Sequence, residues 1–344
     1  MFGLSKGGKA QKLSRLWQTG LDDHVISLAW ALDGKRLACA LVGGPVKVLD
    51  AATGAVRHDL PGHGFGSTCV AWSADGAHLA SAGQDGKVKF WDLAQNRPRL
   101  TLPGGASWVE RLAWCPVINL LASAAGKKLR LWDVDGKMVR ESPDHPATIA
   151  DIAWQPRAEI LASAAYGQLA LWRVDSDKPY RRFEWKGSML AVAWSPDGKY
   201  LATGDQDSTV HFWVVKTGQD LMMSGYPAKV RELSWDGASR YLATGGGTMP
   251  CVWDCSGKGP ADTTPIQLEA HADRVSALAF QHNGPLLVSG GQDSLVALWQ
   301  PGQKEQPLCQ EYLPGGITQL DWTRDDRHLA AGTENGTVAV YTII

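Results

Sequence analysis

The sequence has no long apolar run. Stretches such as Leu120–Ala125 are strand-sized, far below the roughly 18 residues that a membrane-spanning helix needs. No window sustains a 3.6-residue apolar period, which leaves almost no place for helix. Charge of one sign is also missing. Lys and Arg total 34 and Asp and Glu 35, a formal net charge of -1, so no global basic field exists to hold nucleic acid or an anionic membrane. Neither is expected as a partner. Six cysteines stand at 39, 69, 115, 251, 255 and 309. Several occupy positions where other parts of the chain carry Ser, Ala or Leu, so they read as small buried fillers and not as a disulfide framework. A reducing, cytoplasmic setting is the expectation. Met1–Lys12 is Gly/Lys-rich and has no apolar stretch of the secretory kind; residues 1–12 are expected to be a flexible tail and 13–344 a single domain.

What the chain does have is tryptophan and glycine. There are 16 Trp against 6 Phe and 7 Tyr, and 38 Gly among 344 residues. With 44% apolar and 20% charged residues the chain is no disordered polymer. Such use of Trp points to a repeated template, and one is present. An apolar pair ending in Ala-Trp or a close variant reaches Trp30, Trp72, Trp114, Trp154, Trp194, Trp235, Phe280 and Trp322, at steps of 42, 42, 40, 40, 41, 45 and 42 residues. A Leu-Ala-Ser/Thr string, a Gly-rich turn and an alternating strand follow each one. That strand ends at Leu49, Trp91, Trp132, Trp172, Trp213, Trp253, Trp299 and Tyr341. Both strings occur in eight copies, numbered repeats 1 to 8 below. Segments such as Val88–Trp91 and Val210–Trp213 are β-branched and aromatic with turn residues on both sides, so each repeat reads as short strands. Repeats of about 40 residues built from four short strands describe a β-propeller.

On these residues the chain resembles the WD-repeat propellers over 13–344. Repeat 2 carries the fullest motif: Gly62-His63, Val70-Ala71-Trp72-Ser73, Leu79-Ala80-Ser81, Asp85 and Trp91-Asp92. Repeat 7 is nearly as complete, with His271, Ser289, Asp293 and Trp299. The resemblance implies an all-β closed propeller. It also implies two structural hydrogen-bonded tetrads, His63–Ser81–Asp85–Trp91 and His271–Ser289–Asp293–Trp299. Eight four-stranded blades are expected from the eight copies, with seven, the commoner number in the family, as the alternative. Leu13–Thr19 precedes the first inner strand and has no blade of its own, so it is expected to complete the last one and remove two sheet edges. Repeat 5 keeps Thr203, Asp207 and Trp213 without the His, and repeats 3, 4 and 6 have no Asp in the turn; several blades are therefore expected to be held by packing alone. Gly225–Trp235 and Val252–Pro260 look like a bacterial WD-repeat lineage associated with metallochaperone GTPases, which would imply an accessory role in metal homeostasis.

Residues that the template leaves unexplained are the candidates for function. Trp108 and Trp185 lie in loops entering the innermost strands of repeats 3 and 5. Tyr226 occupies the equivalent loop in repeat 6 and Tyr166 the short turn of repeat 4. Aromatics are enriched at binding hot spots, so these four define an expected partner-binding sector on the top face over repeats 3–6. Glu110, Lys186, Lys229, Arg231 and Arg274 are expected to flank it, with a basic tilt that favours an acidic peptide or loop. The competing readings are rim filling for the aromatics and a solvated rim for the charges. An insertion at Cys255–Pro265 lengthens the interval before repeat 7 and reads as a Gly/Pro-rich spacer.

Chemistry finds little support. Gly3–Ala10 approaches a phosphate-binding loop but lacks the final Ser/Thr, the preceding strand and the following helix. Cys251 and Cys255 have no further ligands to complete a zinc site. His63, Ser81 and Asp85 superficially suggest a hydrolytic triad, which the tetrad explains more simply. The expectation is a non-catalytic, monomeric interaction scaffold for a protein or peptide, with no cofactor, no metal and no catalytic residue. The alternative is a propeller enzyme or a small-ligand or metal binder using the central channel, for which Asp151, Asp205 and Asp207 are the only acidic residues on offer.

Overall fold

The computed structural model describes residues 11–105, 108–257, 259–261 and 263–344. Residues 1–10 of the expected tail, with the Gly3–Ala10 segment, lie outside the described residues. Among the described residues every regular element is a β-strand, as the alternation of apolar and polar residues requires. In Ser67–Trp72 the buried positions are Ser67, Val70 and Trp72, and the residues between them are half-exposed. The following strand, Leu79–Gly83, is buried throughout, because it lies in mid-sheet with a neighbouring sheet on each face. The repeating unit is antiparallel, for example Ser67–Trp72, Leu79–Gly83, Lys87–Asp92 and Arg97–Pro103 in that order from inside to outside.

The expected eight four-stranded blades are corrected by the sheet topology. The described strands form seven hydrogen-bonded sheets, six of four strands and one of six. The difference lies at repeats 4 and 5. Ile160–Arg173 and Arg181–Trp194 each run for 14 residues, and they join the strands of both repeats into one sheet. The reason is local. Elsewhere an outer strand ends in a loop before the next inner strand begins, as at Pro61–Gly66. Here Glu184 to Ser188 stays extended and pairs with Gln168 and Tyr166, so the chain passes from one repeat into the next without leaving the sheet. The sheet therefore contains two inner strands, one from each repeat.

The ring is closed by the chain's two ends. Leu13–Gly20 pairs antiparallel with Thr337–Ile343, from Leu13 opposite Ile343 to Gly20 opposite Thr337, and forms the outer strand of the last sheet. The Trp17 indole reaches across to the Ala51 carbonyl at 2.7 Å, tying that strand to repeat 1.

The inner-strand tryptophans fasten neighbouring repeats together. The indole N–H of Trp72 donates to Ala29 O at 3.2 Å, Trp114 to Ala71 O at 3.2 Å, Trp154 to Ala113 O at 2.9 Å and Trp194 to Ala153 O at 3.0 Å. Trp322 donates to Ala279 O at 3.1 Å, and Trp30 to Asp321 O at 3.0 Å, which spans the closing joint. The core is distributed in the same way. Each apolar cluster draws on two adjacent repeats, as where Ala38, Val48 and Leu60 meet Val70, Trp72 and Trp91. The abundance of Trp follows from this: one side chain fills an inter-sheet space and satisfies a carbonyl on the neighbouring strand.

One irregularity matters for function. In repeats 1 to 5, 7 and 8 the pairing of the first two strands shifts register one residue in, as between Val109 and Arg111 or Val275 and Ala277. A bulge of this kind turns its extra residue out of the ladder. The residues so treated include Glu110 and also Ile26, Ser276 and Thr318, the last three lining the mouth of the axial channel on the face where loops enter the inner strands.

Candidate functional site

That face is knitted by backbone bonds between the loop entering one repeat and the hairpin turn of its own repeat or the one before. Val42 N donates to His24 O, His63 N to Gly44 O, Gly105 N to Gly86 O, His145 N to Lys127 O and Leu313 N to Ser294 O. Entry loops and hairpin turns therefore share one surface.

Under it lies a slot four residues before the first buried residue of each inner strand. Down the chain it holds Leu21, His63, Gly105, His145, Trp185, Tyr226, His271 and Leu313. In repeat 2, His63 Nδ1–H donates to Asp85 at 2.9 Å. Its Nε2 accepts from Ser81 Oγ at 2.7 Å, and Ser81 accepts from the Trp91 indole at 2.9 Å. Repeat 7 repeats this with His271–Asp293 at 3.1 Å, His271–Ser289 at 2.7 Å and Trp299–Ser289 at 2.8 Å. The polarity runs one way and fixes the neutral tautomer with the proton on Nδ1.

Repeats 4 and 6 are not held by packing alone. In repeat 4, His145 Nδ1–H donates to the Lys127 carbonyl at 3.0 Å, Nε2 accepts from Ser163 at 2.9 Å, and Trp172 donates to Ser163 at 2.9 Å. A backbone carbonyl takes the place of the missing Asp. With no carboxylate hydrogen-bonded to it, burial pushes the imidazole down to about 4. In repeat 6, Trp253 donates to Tyr226 Oη at 2.9 Å. The Tyr226 hydroxyl lies 2.9 Å from Thr244 Oγ1, which itself donates to Cys251 O at 3.3 Å. Tyr226 is thus engaged inside the repeat. Sequence reasoning missed His145 by looking for Asp in the turn; the spacing to the inner strand marks it.

Repeat 5 departs furthest. Trp185 occupies the slot, and its ring lies over His211, centroids 4.0 Å apart. His211 Nδ1 meets Asp220 at 2.8 Å. Its Nε2 faces Asp205 at 3.6 Å, beyond hydrogen-bond reach. Both Asp205 oxygens, His211 Nε2 and Trp185 Nε1 are enclosed without a hydrogen-bond partner. In repeats 2 and 7 the position equivalent to Asp205 is Gly83 or Gly291, where a Cβ would strike the His63 or His271 ring at 2.4 and 2.5 Å. Loss of the slot histidine makes room for a side chain there. Burial pushes the Asp205 carboxyl up to about 7. Asp207, in the turn, accepts from Thr209 at 2.7 Å.

The other sequence candidates divide by exposure. Trp108 is 52% and Tyr166 57% exposed. Lys186 and Arg231 are exposed; Glu110, Lys229 and Arg274 are half-buried. One residue escaped sequence reasoning: Phe65, 90% exposed at the tip of the loop entering repeat 2. It has φ 66, a left-handed conformation costly for a bulky side chain. Its flanking glycines, Gly64 and Gly66, are the signal that could have found it.

The axial channel opens on the same face in a cavity of about 450 Å³, lined by residues of repeats 1, 6, 7 and 8 that include Arg231, Arg274, Glu232 and Glu334. Deeper in the channel wall, Arg111 pairs with Asp151 at 3.0 Å, and Asp151 also accepts from Val192 N at 3.0 Å. Asp151, Asp205 and Asp207 therefore do not share a pocket. Among the described residues no group of three or more His, Cys, Asp or Glu side chains is placed to hold a metal ion. All six cysteines are free, and burial raises the Cys251 thiol to about 11 and Cys255 to about 12. Among the described residues no helix is long and apolar enough to cross a membrane.

Strands arranged radially about a channel, with His–Ser–Asp–Trp networks beneath one face, define a propeller of the WD type. The chain belongs to the WD-repeat β-propeller family: the family described as IFT122 first beta-propeller matches residues 24–259, and WD domain, G-beta repeat, matches 263–300 and 308–342. It is 30% identical over 101 residues to NACHT domain- and WD repeat-containing protein 1 of Mus musculus, covering 27% of this chain and 6% of that protein. It is 28% identical over 113 residues to WD repeat-containing protein 18 of Rattus norvegicus, covering 30% of this chain and 26% of that protein. The match thus spans well under two thirds of either relative. The fold is similar to the crystal structure of the computationally designed Ika8 protein, with TM-score 0.80 and 23% identity over 94% of this chain and 97% of that one. The bacterial character read from Gly225–Trp235 and Val252–Pro260 is not supported, since both relatives are mammalian.

Proposed function

We propose that the protein is a non-catalytic interaction scaffold that docks a protein or peptide through exposed aromatic side chains on its loop-bearing face. The observation that carries this reading is the exposure of Phe65 (90%), Trp108 (52%) and Tyr166 (57%) on consecutive repeats 2, 3 and 4. Large rings left in water on a preformed surface gain more from a partner than flexible side chains do, because little rotamer freedom is lost on binding. Trp185 and Tyr226 turn inward, so the docking sector shifts from repeats 3–6 to repeats 2–4. Glu110 and Lys186 stand beside it as polar flanks. Partner capture compares the wild type with the Phe65→Ser/Trp108→Ala/Tyr166→Ala variant and with Leu32→Ser, a control at an exposed turn on the opposite face. Loss of specific partners, at least tenfold, in the triple variant only is expected. Equal capture by all three chains overturns the reading.

A further inference from the structure

The channel mouth draws on other repeats than the aromatic sector, and it has a chemistry of its own. Its lining includes Ile26, Ser276 and Thr318, which the bulges turn out of the ladder, and Arg231 and Arg274, which lie just before or at the entry of the inner strands of repeats 6 and 7. Two guanidinium groups, Arg231 and Arg274, face the cavity of about 450 Å³. Elsewhere in the same channel Arg111 is neutralised by Asp151 at 3.0 Å. Among the described residues the Arg231 and Arg274 side chains make no ion pair and no hydrogen bond, and Arg274 Nε is enclosed with no partner. An enclosed donor left unpaired is costly, more so when charged. An acceptor brought by a ligand would relieve that cost.

The charge count restricts what the ligand can be. Two carboxylates, Glu232 and Glu334, line the same cavity. Both are already engaged with backbone N–H groups, Glu232 with Arg231 N at 3.3 Å and Glu334 with Gly316 N at 3.1 Å. Burial pushes the Glu232 carboxyl above its ordinary value. Two cations beside two carboxylates leave the mouth with no net charge, so an anion is held by local pairing with the unpaired guanidinium groups and not by a general field, and the carboxylates repel a polyanion. A guanidinium fork matches the two oxygens of a carboxylate. Gln292 and Gln319 line the cavity as well, and an amide side chain suits the amide or hydroxyl groups of a small body behind the carboxylate. The volume falls within the roughly 300–1,000 Å³ typical of small-ligand sites.

We propose that the mouth of the axial channel, built by Arg231 and Arg274 over Gln292 and Gln319, is a binding site for a single carboxylate group carried on a compact body. Two sources share this chemistry: a free small organic acid and the C-terminus of a peptide. Calorimetric titration of the full chain uses N-acetyl-Leu-Ala as free acid, the same dipeptide as its C-terminal amide, butanoate, and tripolyphosphate. The free-acid dipeptide is expected to bind at least tenfold more tightly than the amide and than tripolyphosphate. Arg274→Gln and Arg231→Gln should each weaken it at least tenfold with melting temperatures unchanged. Butanoate binding as tightly as the dipeptide acid assigns the site to free acids; tighter dipeptide binding assigns it to peptide termini. Equal binding of acid and amide, preference for tripolyphosphate, or no binding by any of the four probes overturns the proposal. The aromatic triple variant should retain the dipeptide unchanged, so failure of the docking reading leaves this one separately decided.

Discussion

At the scale of the residue, the slot beneath the loop-bearing face shows how one template absorbs different chemistry. Histidine, tyrosine and leucine all fill it, and each brings its own partners. His145 is the most informative case. Replacing it by Ala leaves the Lys127 carbonyl its backbone bond from His145 N but takes the acceptor from the buried Ser163 hydroxyl. Orphaned groups of this kind cost about 1–3 kcal/mol, and a urea midpoint lowered to match is the expected result; a change within about 0.5 kcal/mol would show the network to be idle. Acid should weaken the same network. Burial holds His63 and His145 below the ordinary imidazole value, His145 at about 4. The unfolded chain takes up these protons near pH ~6.5 and the folded chain does not, so their stabilisation is lost as pH falls from about 6.5 toward 4. Asp205 has the opposite sign. Its carboxyl is raised to about 7, so the folded chain holds a proton that the unfolded chain has released, and stability is lost as pH rises from about 4 to 7. A shift of roughly three units corresponds to ~4 kcal/mol at most. Asp205→Asn should therefore give a stability that climbs more steeply with pH between 5 and 7.5 than the wild type. Parallel slopes in urea unfolding across that range would refute the account.

These residues also mark where the sequence was readable. His63, Ser81, Asp85 and Trp91 stand in one contiguous pattern, and they meet in space as their spacing suggests. Trp185 and Tyr226 looked like surplus aromatics because their histidine is missing, yet they sit four residues before Met189 and Val230, the place a slot residue must hold. Phe65 was passed over because a lone aromatic between glycines carries no periodicity, and its exposure is a property of the folded loop.

At the scale of the element, the strand positions were legible from alternation and turn residues, whereas the joining of sheets was not. Eight copies of a string count strands correctly and say nothing about whether the chain leaves a sheet between copies. That depends on Glu184–Ser188 staying extended against Tyr166 and Gln168, a pairing that no single strand encodes. The closing strand makes the sharpest prediction here. Removing residues 1–20 strips Thr337–Ile343 of its neighbour and exposes an edge that recruits other chains. It also removes the Trp17 bond to repeat 1. The shortened chain should self-associate in sedimentation and melt earlier; a monomer with an unchanged melting temperature would refute the role of that strand.

At the scale of the whole molecule, the ring separates stability from recognition. Tryptophans on the inner strands and backbone bonds from the entry loops join repeat to repeat, and the exposed rings of Phe65, Trp108 and Tyr166 stand outside that framework. The exposed rings over repeats 2–4 and the guanidinium pair over repeats 6–7 lie on one face but draw on different repeats. Substitutions at Phe65, Trp108 and Tyr166 should therefore leave the urea midpoint within about 0.5 kcal/mol of the wild type while removing the partner. A midpoint lowered well beyond that would assign those side chains to the fold.

The pairing of Leu13 with Ile343 also sets a clock. Translation at roughly 5–20 residues per second puts about 15–65 s between the emergence of the two strands. Through that interval Leu13–Gly20 has no mate, and the sheets already assembled wait as an arc with two raw ends. The nascent ring is thus most in need of protection until Thr337–Ile343 has emerged to meet Leu13–Gly20.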